Sequence, residues 1–161
     1  MSVCDLKVVK GMISNMDNIQ YSKLLLTEEI IIQLESIRYN AYNMNTEQYP
    51  IEKTYHTMNL KKGNYLVFGC FLNNQLVGAC YTSKSNNSLY IEQLFILKKY
   101  QKTGLYLGKN LLLYVLKNKE IIEEYFHTTF DYSYLDAYRN TSNLYTSIGY
   151  RKVNSLFRKK L

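Results

Sequence analysis

Leu89-Tyr-Ile-Glu-Gln-Leu-Phe-Ile-Leu97, Lys98-Lys-Tyr-Gln-Lys-Thr-Gly104 and Leu105-Tyr-Leu-Gly-Lys-Asn-Leu-Leu-Leu-Tyr-Val-Leu116 follow one another without a break. The first segment is short, β-branched and aromatic, and only Glu92 and Gln93 interrupt its apolar run. That composition and length predict a buried strand. The third segment repeats apolar residues at Leu107, Leu111 and Val115, with Leu105, Leu112 and Leu116 alongside, which is helical spacing. Between them lies a basic loop whose Gly104 is expected to open the helix. The free N–H groups of a first helical turn, the helix dipole, and Lys98, Lys99, Lys102 and Lys109 together suit an anion site, with a solvated basic face on an ordinary strand–loop–helix unit as the equal alternative. Two neighbouring phosphates, as in a pyrophosphate, suit such a cradle.

Upstream of this unit, Tyr65–Leu72 reads as a strand, Asn73-Asn74 as a tight turn, and Gln75–Thr82 as the returning arm of a hairpin. Ser83–Ser88 is a polar turn into the Leu89–Leu97 strand, so three strands form a meander. Earlier still, Leu6–Val9 is a candidate opening strand. Thr27 before Glu28-Glu29 has the form of an N-cap, and Ile30, Leu34, Ile37 and Ala41 mark one face of a helix. Pro50, the only proline, suits the first turn of a second helix carrying Ile51, Tyr55 and Met58 on one side, with Gly63 ending it. The tyrosine-rich stretch Tyr42–Tyr49 is expected to be a loop, a plain connection by preference, with a substrate wall in a catalytic domain as the alternative.

Downstream, Lys119–Glu124 reads as helix tail and connection, and Phe130–Ala137 as the next strand. Asn140 and Gly149 bracket a short helix as N-cap and C′ residue. Leu144 and Ile148 should pack inward, with Tyr145 beside them reaching the gap between helix and sheet. Tyr150 onward is a closing strand or pair, and Arg158-Lys159-Lys160 is expected to be solvated. Helices, an antiparallel meander, then a strand–helix–strand crossover define a mixed α/β (α+β) sheet fold, and 1–161 reads as one domain.

Composition narrows the function classes. Apolar residues at 47% and charged residues at 20% describe an ordinary soluble globule. No apolar run is long enough to span a membrane, and Met1–Asp5 lacks the start of a secretory signal. Cys4, Cys70 and Cys80 are an odd count without paired spacing, which suits a cytoplasmic location. Cys70 and Cys80 fall in expected strands, where inert core thiols are the commoner case. His56 and His127 lack ligand-spaced cysteines, so no metal is expected. Twenty Lys+Arg against 13 Asp+Glu give a net charge of +7, compatible with an anionic cosubstrate, an acidic substrate or nucleic acid. In the basic loop only Tyr100 accompanies the lysines, a poor stacking platform, so nucleic acid is not the expected partner.

The basic-loop segment Gln101-Lys-Thr-Gly104-Leu-Tyr106 resembles the Q/R-x-x-G-x-G/A motif of the GNAT superfamily of acyl-CoA-dependent N-acyltransferases. Asn140-Thr-Ser-Asn-Leu-Tyr145-Thr-Ser-Ile-Gly149-Tyr150 resembles that family's Asn…Tyr…Gly-Phe/Tyr segment, and the order of elements agrees over nearly the whole chain. One position departs: Tyr106 stands where the family has a small residue, and Gly108 follows two residues on.

The resemblance implies an acetyl-CoA-dependent N-acetyltransferase in which a primary amine attacks the thioester directly through a tetrahedral intermediate. It implies that Leu94, Phe95 and Ile96 run beside the pantetheine arm, with an N–H there, Ile96 for preference, polarising the thioester carbonyl. It further implies that the main chain of Gln101, Lys102, Thr103, Gly104, Leu105 and Tyr106 wraps the pyrophosphate, that Asn140 bonds the pantetheine, and that Tyr145 protonates the departing thiolate. An alkyl ammonium has a pKa near ~10.4, so a base must accept its proton. Glu92, interrupting the central strand, is the candidate, with a water relay or a merely paired carboxylate as alternatives. With 17 tyrosines in the chain, Tyr145 could also be a core residue. The acceptor is an unidentified amine, and a homodimer is compatible with the sequence. The alternatives are a catalytically degenerate CoA-binding fold, which Tyr106 suggests, and a basic nucleic-acid-binding module.

Overall fold

Two consecutive asparagines with positive φ, Asn73 at 51° and Asn74 at 70°, form the tight turn that the sequence announces, a conformation asparagine tolerates better than most residues. The turn joins β2 (Leu66–Leu72) to β3 (Gln75–Ser85), and β3 returns into β4 (Ser88–Ile96). The computed structural model describes residues 17–42, 48–136 and 142–161. The Leu6–Val9 strand and Asn140 lie outside these residues. A further strand, β1 (Ile19–Lys23), unforeseen in the sequence, pairs antiparallel with β2.

Thr27 caps α1 (Glu28–Tyr42) as expected, its Oγ1 accepting from the Ile30 N–H at 3.2 Å. The buried stripe of α1 includes Ile31, Leu34 and Ile37 but also Glu35 and Arg38. Arg38, fully buried, donates to Glu35 at 2.8 and 3.3 Å and to Glu52 of α2 (Gln48–Lys61) at 3.3 Å, tying the two helices together. A buried guanidinium is tolerated where carboxylates neutralise it and satisfy its donors. On α2, Ile51, Tyr55 and Met58 share a side, but that side faces outward; His56, Asn59 and Leu60 are the buried residues. His56 Nδ1 meets the Tyr65 hydroxyl at 3.2 Å, and burial followed by the Arg38 charge presses the imidazole down to about 4. Gly63, with φ +74°, stands just past the end of α2 as anticipated.

After β4 come a 3₁₀ turn (Lys98–Tyr100), α3 (Leu107–Lys117) and α4 (Lys119–Phe126). The expected helix tail is thus a separate helix, divided from α3 at Asn118, whose side chain bonds back to the Tyr114 carbonyl at 2.7 Å. Leu107, Leu111, Leu112 and Val115 are buried, as their spacing requires. β5 (Tyr132–Leu135) is shorter than the expected strand, and Ala137 lies outside the described residues. Then follow α5 (Ser142–Ile148), β6 (Arg151–Val153) and β7 (Leu156–Lys160). Arg158-Lys159-Lys160 is therefore not a solvated tail but the end of a sheet strand, with Arg158 stacked over the Tyr132 ring at 4.6 Å.

Among the described residues seven strands form one sheet in the order β1-β2-β3-β4-β5-β7-β6, in which only β4–β5 is parallel. This mixed sheet with helices is the fold class that the order of elements predicts. Helix α1 covers one face over β3 and β4, and α3 covers the other over β2, β3 and β4. Two apolar clusters result, one on each face, so the meander is a buried central layer.

Candidate active site

Strand β4 changes partners along its length. Ser88–Ile91 pair with β5 on one side and β3 on the other. At the next residue a bulge intervenes: Thr82 pairs with Ile91 and Tyr81 with Gln93, so Glu92 is the additional residue. Beyond it, Leu94, Phe95 and Ile96 keep β3 but have no β5 residue beside them. Among the described residues this half-strand has one open edge, which offers main-chain N–H donors to a ligand.

A cleft of about 790 Å³ opens along that edge. It is lined by Leu94, Phe95 and Ile96, by Gln101, Lys102, Thr103, Gly104 and Tyr106, and by Leu144 and Tyr145 of α5. Eight of the ten residues that the sequence assigns to the coenzyme therefore border one cavity. Leu105 does not; its side chain packs against the core. Glu92 is not among the lining residues either, and Asn140 lies outside the described residues.

The loop has a specific build. Lys102, Gly104 and Tyr106 have φ of 57°, 84° and 52°, three left-handed residues in a run of five. Such backbone concentrates N–H groups for an anion. A Cβ added at Gly104 would meet no atom within 4 Å, so the main chain there faces open space. The helix does not open at Gly104; it begins at Leu107, with Tyr106 as its left-handed N-cap. A side chain in this region costs about 1–2 kcal/mol, which a small residue at 106 would avoid. Tyr106 is 69% exposed, so no packing conflict adds to that cost. Lys102 and Lys109 supply cations at the same end of the cleft.

Gln101 anchors the loop. Its Nε2 donates to the Ile96 carbonyl at 2.7 Å and to the Ala41 carbonyl at 3.2 Å, joining loop, strand and α1. The Lys98 N–H donates to Asn40 Oδ1 at 3.0 Å, a second tie to α1. Tyr42, which the sequence placed in a stretch read as a connection in preference to a substrate wall, is the last residue of α1, borders the cleft and donates its hydroxyl to the Leu94 carbonyl at 2.9 Å. Burial, then the nearby Tyr145, push the Tyr42 phenol well up, so it remains a protonated donor. Its place at the start of the expected loop was the one available signal.

Tyr145 is 7% exposed and packs edgewise on Tyr150 and against Phe157, each at 6.2 Å between centroids. Core tyrosine and cleft tyrosine are here the same residue. Glu92 is half-buried and accepts from the Ser83 hydroxyl at 2.5 Å. It lies near Tyr65 and Tyr90, whose phenols burial first, and then its charge, push up. Cys70 and Cys80 are buried, and burial raises both thiols, Cys70 to about 12, so neither supplies a thiolate nucleophile at neutral pH. Among the described residues no three His, Cys, Asp or Glu side chains gather as a metal site.

The model of the acetyltransferase (GNAT) domain matches residues 34–160. The chain belongs to the GNAT acetyltransferase family. No curated protein sequence matches it, but solved structures do. The PaiA N-acetyltransferase from Thermoplasma acidophilum, in complex with coenzyme A, is 19% identical with a TM-score of 0.65, over 89% of this chain and 99% of that one. The ribosomal-protein-S18-alanine N-acetyltransferase from Escherichia coli is 16% identical with a TM-score of 0.67, over 89% and 94%. An acetyltransferase from Thermus thermophilus is 13% identical with a TM-score of 0.67, over 88% and 97%. At these identities the likeness is one of fold, and the GNAT fold is the one that the element order implies. Among the described residues no helix of this GNAT protein is long and apolar enough to cross a membrane.

Proposed function

We propose that the protein transfers an acetyl group from acetyl-CoA to a primary amine by direct attack. The observation that carries this reading is the single cleft running from the Lys102–Tyr106 loop, along the open half of β4, to Tyr145. The residues present fit the coenzyme: left-handed backbone and two lysines for phosphates, an open strand edge for the amides of the pantetheine, and a phenol at the far end.

Acetyl-CoA supplies an activated acyl group; the chain's own residues position it and move protons. Main-chain N–H groups of Gln101–Tyr106 hold the pyrophosphate, and Asn140 is assigned to the pantetheine. An N–H of the open half of β4, at Ile96, polarises the acyl carbonyl. Tyr145 gives its proton to the leaving sulfur. Glu92, at the bulge where β4 loses β5, takes the proton of the incoming ammonium, directly or through water, with Ser83 holding the carboxylate in place. The family match and the coenzyme A complex of a structural relative support the donor; the amine is chosen by the acceptor side.

Thermal unfolding with acetyl-CoA, coenzyme A and ATP in parallel tests the donor. A ligand at about 100 times its dissociation constant adds roughly 2.7 kcal/mol to the folded state. Both coenzyme forms should raise the midpoint and ATP should raise it little. No shift with either coenzyme form would overturn the reading.

A further inference from the structure

The C-terminal half of the sheet has a face that the acetyl-transfer reading does not use. Strand register sets Tyr90 of β4 beside Tyr134 of β5, Tyr134 beside Arg158 of β7, and Arg158 beside Arg151 of β6. Paired residues share a face, so these four form a row across four neighbouring strands, about 14 Å from end to end at ~4.8 Å per strand. The next row on the same face holds Tyr132 and Lys160, also a registered pair. The core lies on the opposite face, where Leu89, Ile91, Ser133, Leu135 and Phe157 are buried. The three tyrosines and Arg158 are half-exposed, and Arg151 and Lys160 are exposed.

Charge along the β6–β7 edge of the sheet is predominantly positive. A cleft of about 390 Å³ is lined by Arg151, Lys152, Arg158, Lys159 and Lys160 together with Tyr132, and by no carboxylate. None of these residues borders the coenzyme cleft, so this part of the positive excess is not accounted for by coenzyme phosphates. Glu92 and Asp136 act on Tyr90 and bound the patch on the side of the β4 bulge. Charges on an edge strand guard against strand pairing, which accounts for Arg151 and Lys152 on β6. It does not account for tyrosines on the interior strands β4 and β5 standing in register with cations. A second copy docked here would press arginines and lysines against their own kind.

We propose that this face binds single-stranded nucleic acid, with bases stacking on Tyr90, Tyr132 and Tyr134 and phosphates tracking Arg151, Arg158 and Lys160. Arg158 lies over the Tyr132 ring at 4.6 Å, and the Tyr132 and Tyr134 rings, tilted by 48°, have centroids 6.4 Å apart, so cation and aromatic rings are gathered on one face, and a base stacking on that side of Tyr132 would take the place of Arg158. Stacking on open sheet faces flanked by cations is sequence-tolerant recognition. The site is independent of acetyl transfer and stands or falls without it.

The test is fluorescence anisotropy of a labelled thymidine oligonucleotide, about 20 nucleotides long to cover more than one site size, titrated with the full chain at several salt concentrations. Binding should weaken with salt, and R151Q and R158Q should each reduce the logarithmic salt slope by about 0.7. Tyr134→Leu, which keeps an apolar side chain on the strand, should weaken binding roughly tenfold by loss of a stacked base while leaving the salt slope unchanged. Arg151, being exposed, can be replaced without disturbing the fold, and unchanged melting verifies it for each variant. Saturating coenzyme A should not displace the oligonucleotide. Absence of binding at low salt, displacement by coenzyme A, or equal competition by poly-glutamate with no effect of Tyr134→Leu would each overturn the proposal. The last of these would assign the face to acidic proteins instead.

Discussion

Ser88–Ile91 and Glu92–Ile96 belong to one strand but have different surroundings. The first half lies between β3 and β5 and closes the sheet. Past the Glu92 bulge the second half keeps only β3, and its last three residues, Leu94–Ile96, border the cleft. The same backbone chemistry serves stability where both edges are occupied and recognition where one is left open. A one-residue bulge separates the two regimes, and the candidate base sits on it. On the proposed mechanism, a base at this boundary is held by the half of the strand that is paired on both edges.

The largest expected effect tests whether the open half ends at a reacting group. Tyr145→Phe should reduce turnover by about 10²-fold or more, the usual scale for losing a general acid, with coenzyme-induced thermal stabilisation retained. Steady-state kinetics beside a melting assay separates the two quantities; unchanged turnover would return Tyr145 to the core and leave the cleft without its acid. The second test attacks the seam that supports the open half. Gly78 pairs with Ile96, and a Cβ there would stand 2.5 Å from the Phe95 carbonyl oxygen. Gly78→Ala should force β3 and β4 apart, cost about 1–3 kcal/mol in denaturant unfolding, and weaken coenzyme binding as well. Loss of stability with unimpaired coenzyme binding would show that the open edge does not depend on its neighbour. The smallest effect concerns the loop. Tyr106→Gly relieves a left-handed side chain but adds freedom to the unfolded chain, for a net gain of about 0.5–1 kcal/mol. A loss of stability would mean that the exposed ring makes contacts that outweigh the strain.

Much of this was legible because it depends on local rules. The Asn73-Asn74 turn, the Thr27 cap, Gly63 past its helix and the α3 stripe are each set by residues a few positions apart. The gathering of Leu94–Ile96 with Gln101–Gly104 follows from their adjacency in the chain. What escaped depends on partners far apart in sequence. The burial of Arg38, which the apolar spacing of its helix does not mark, depends on Glu52 arriving from α2. Tyr42 reads as loop until Leu94 offers its carbonyl. Ile51, Tyr55 and Met58 satisfy helical spacing, but spacing does not say which side of a helix meets the sheet, and buried His56 and Asn59 took that side. Arg158–Lys160 reads as a solvated tail because charge at a chain end resembles one; pairing with β5 makes it strand.

The β4–β5 seam also has a temporal meaning. Strands β2, β3 and β4 meet through short turns, so their contacts close small loops. Ser88 meets Tyr132 only after α3 and α4 have been spanned, and the seam offers four residue pairs in return. Closing a loop of that length costs more chain entropy than closing the turns of the meander, and fewer contacts repay it. The meander and the C-terminal strands are therefore two ribbons, each assembled from its own stretch of chain, joined by one long-range stitch. The cleft proposed for the coenzyme opens beside the part of that stitch left unsewn.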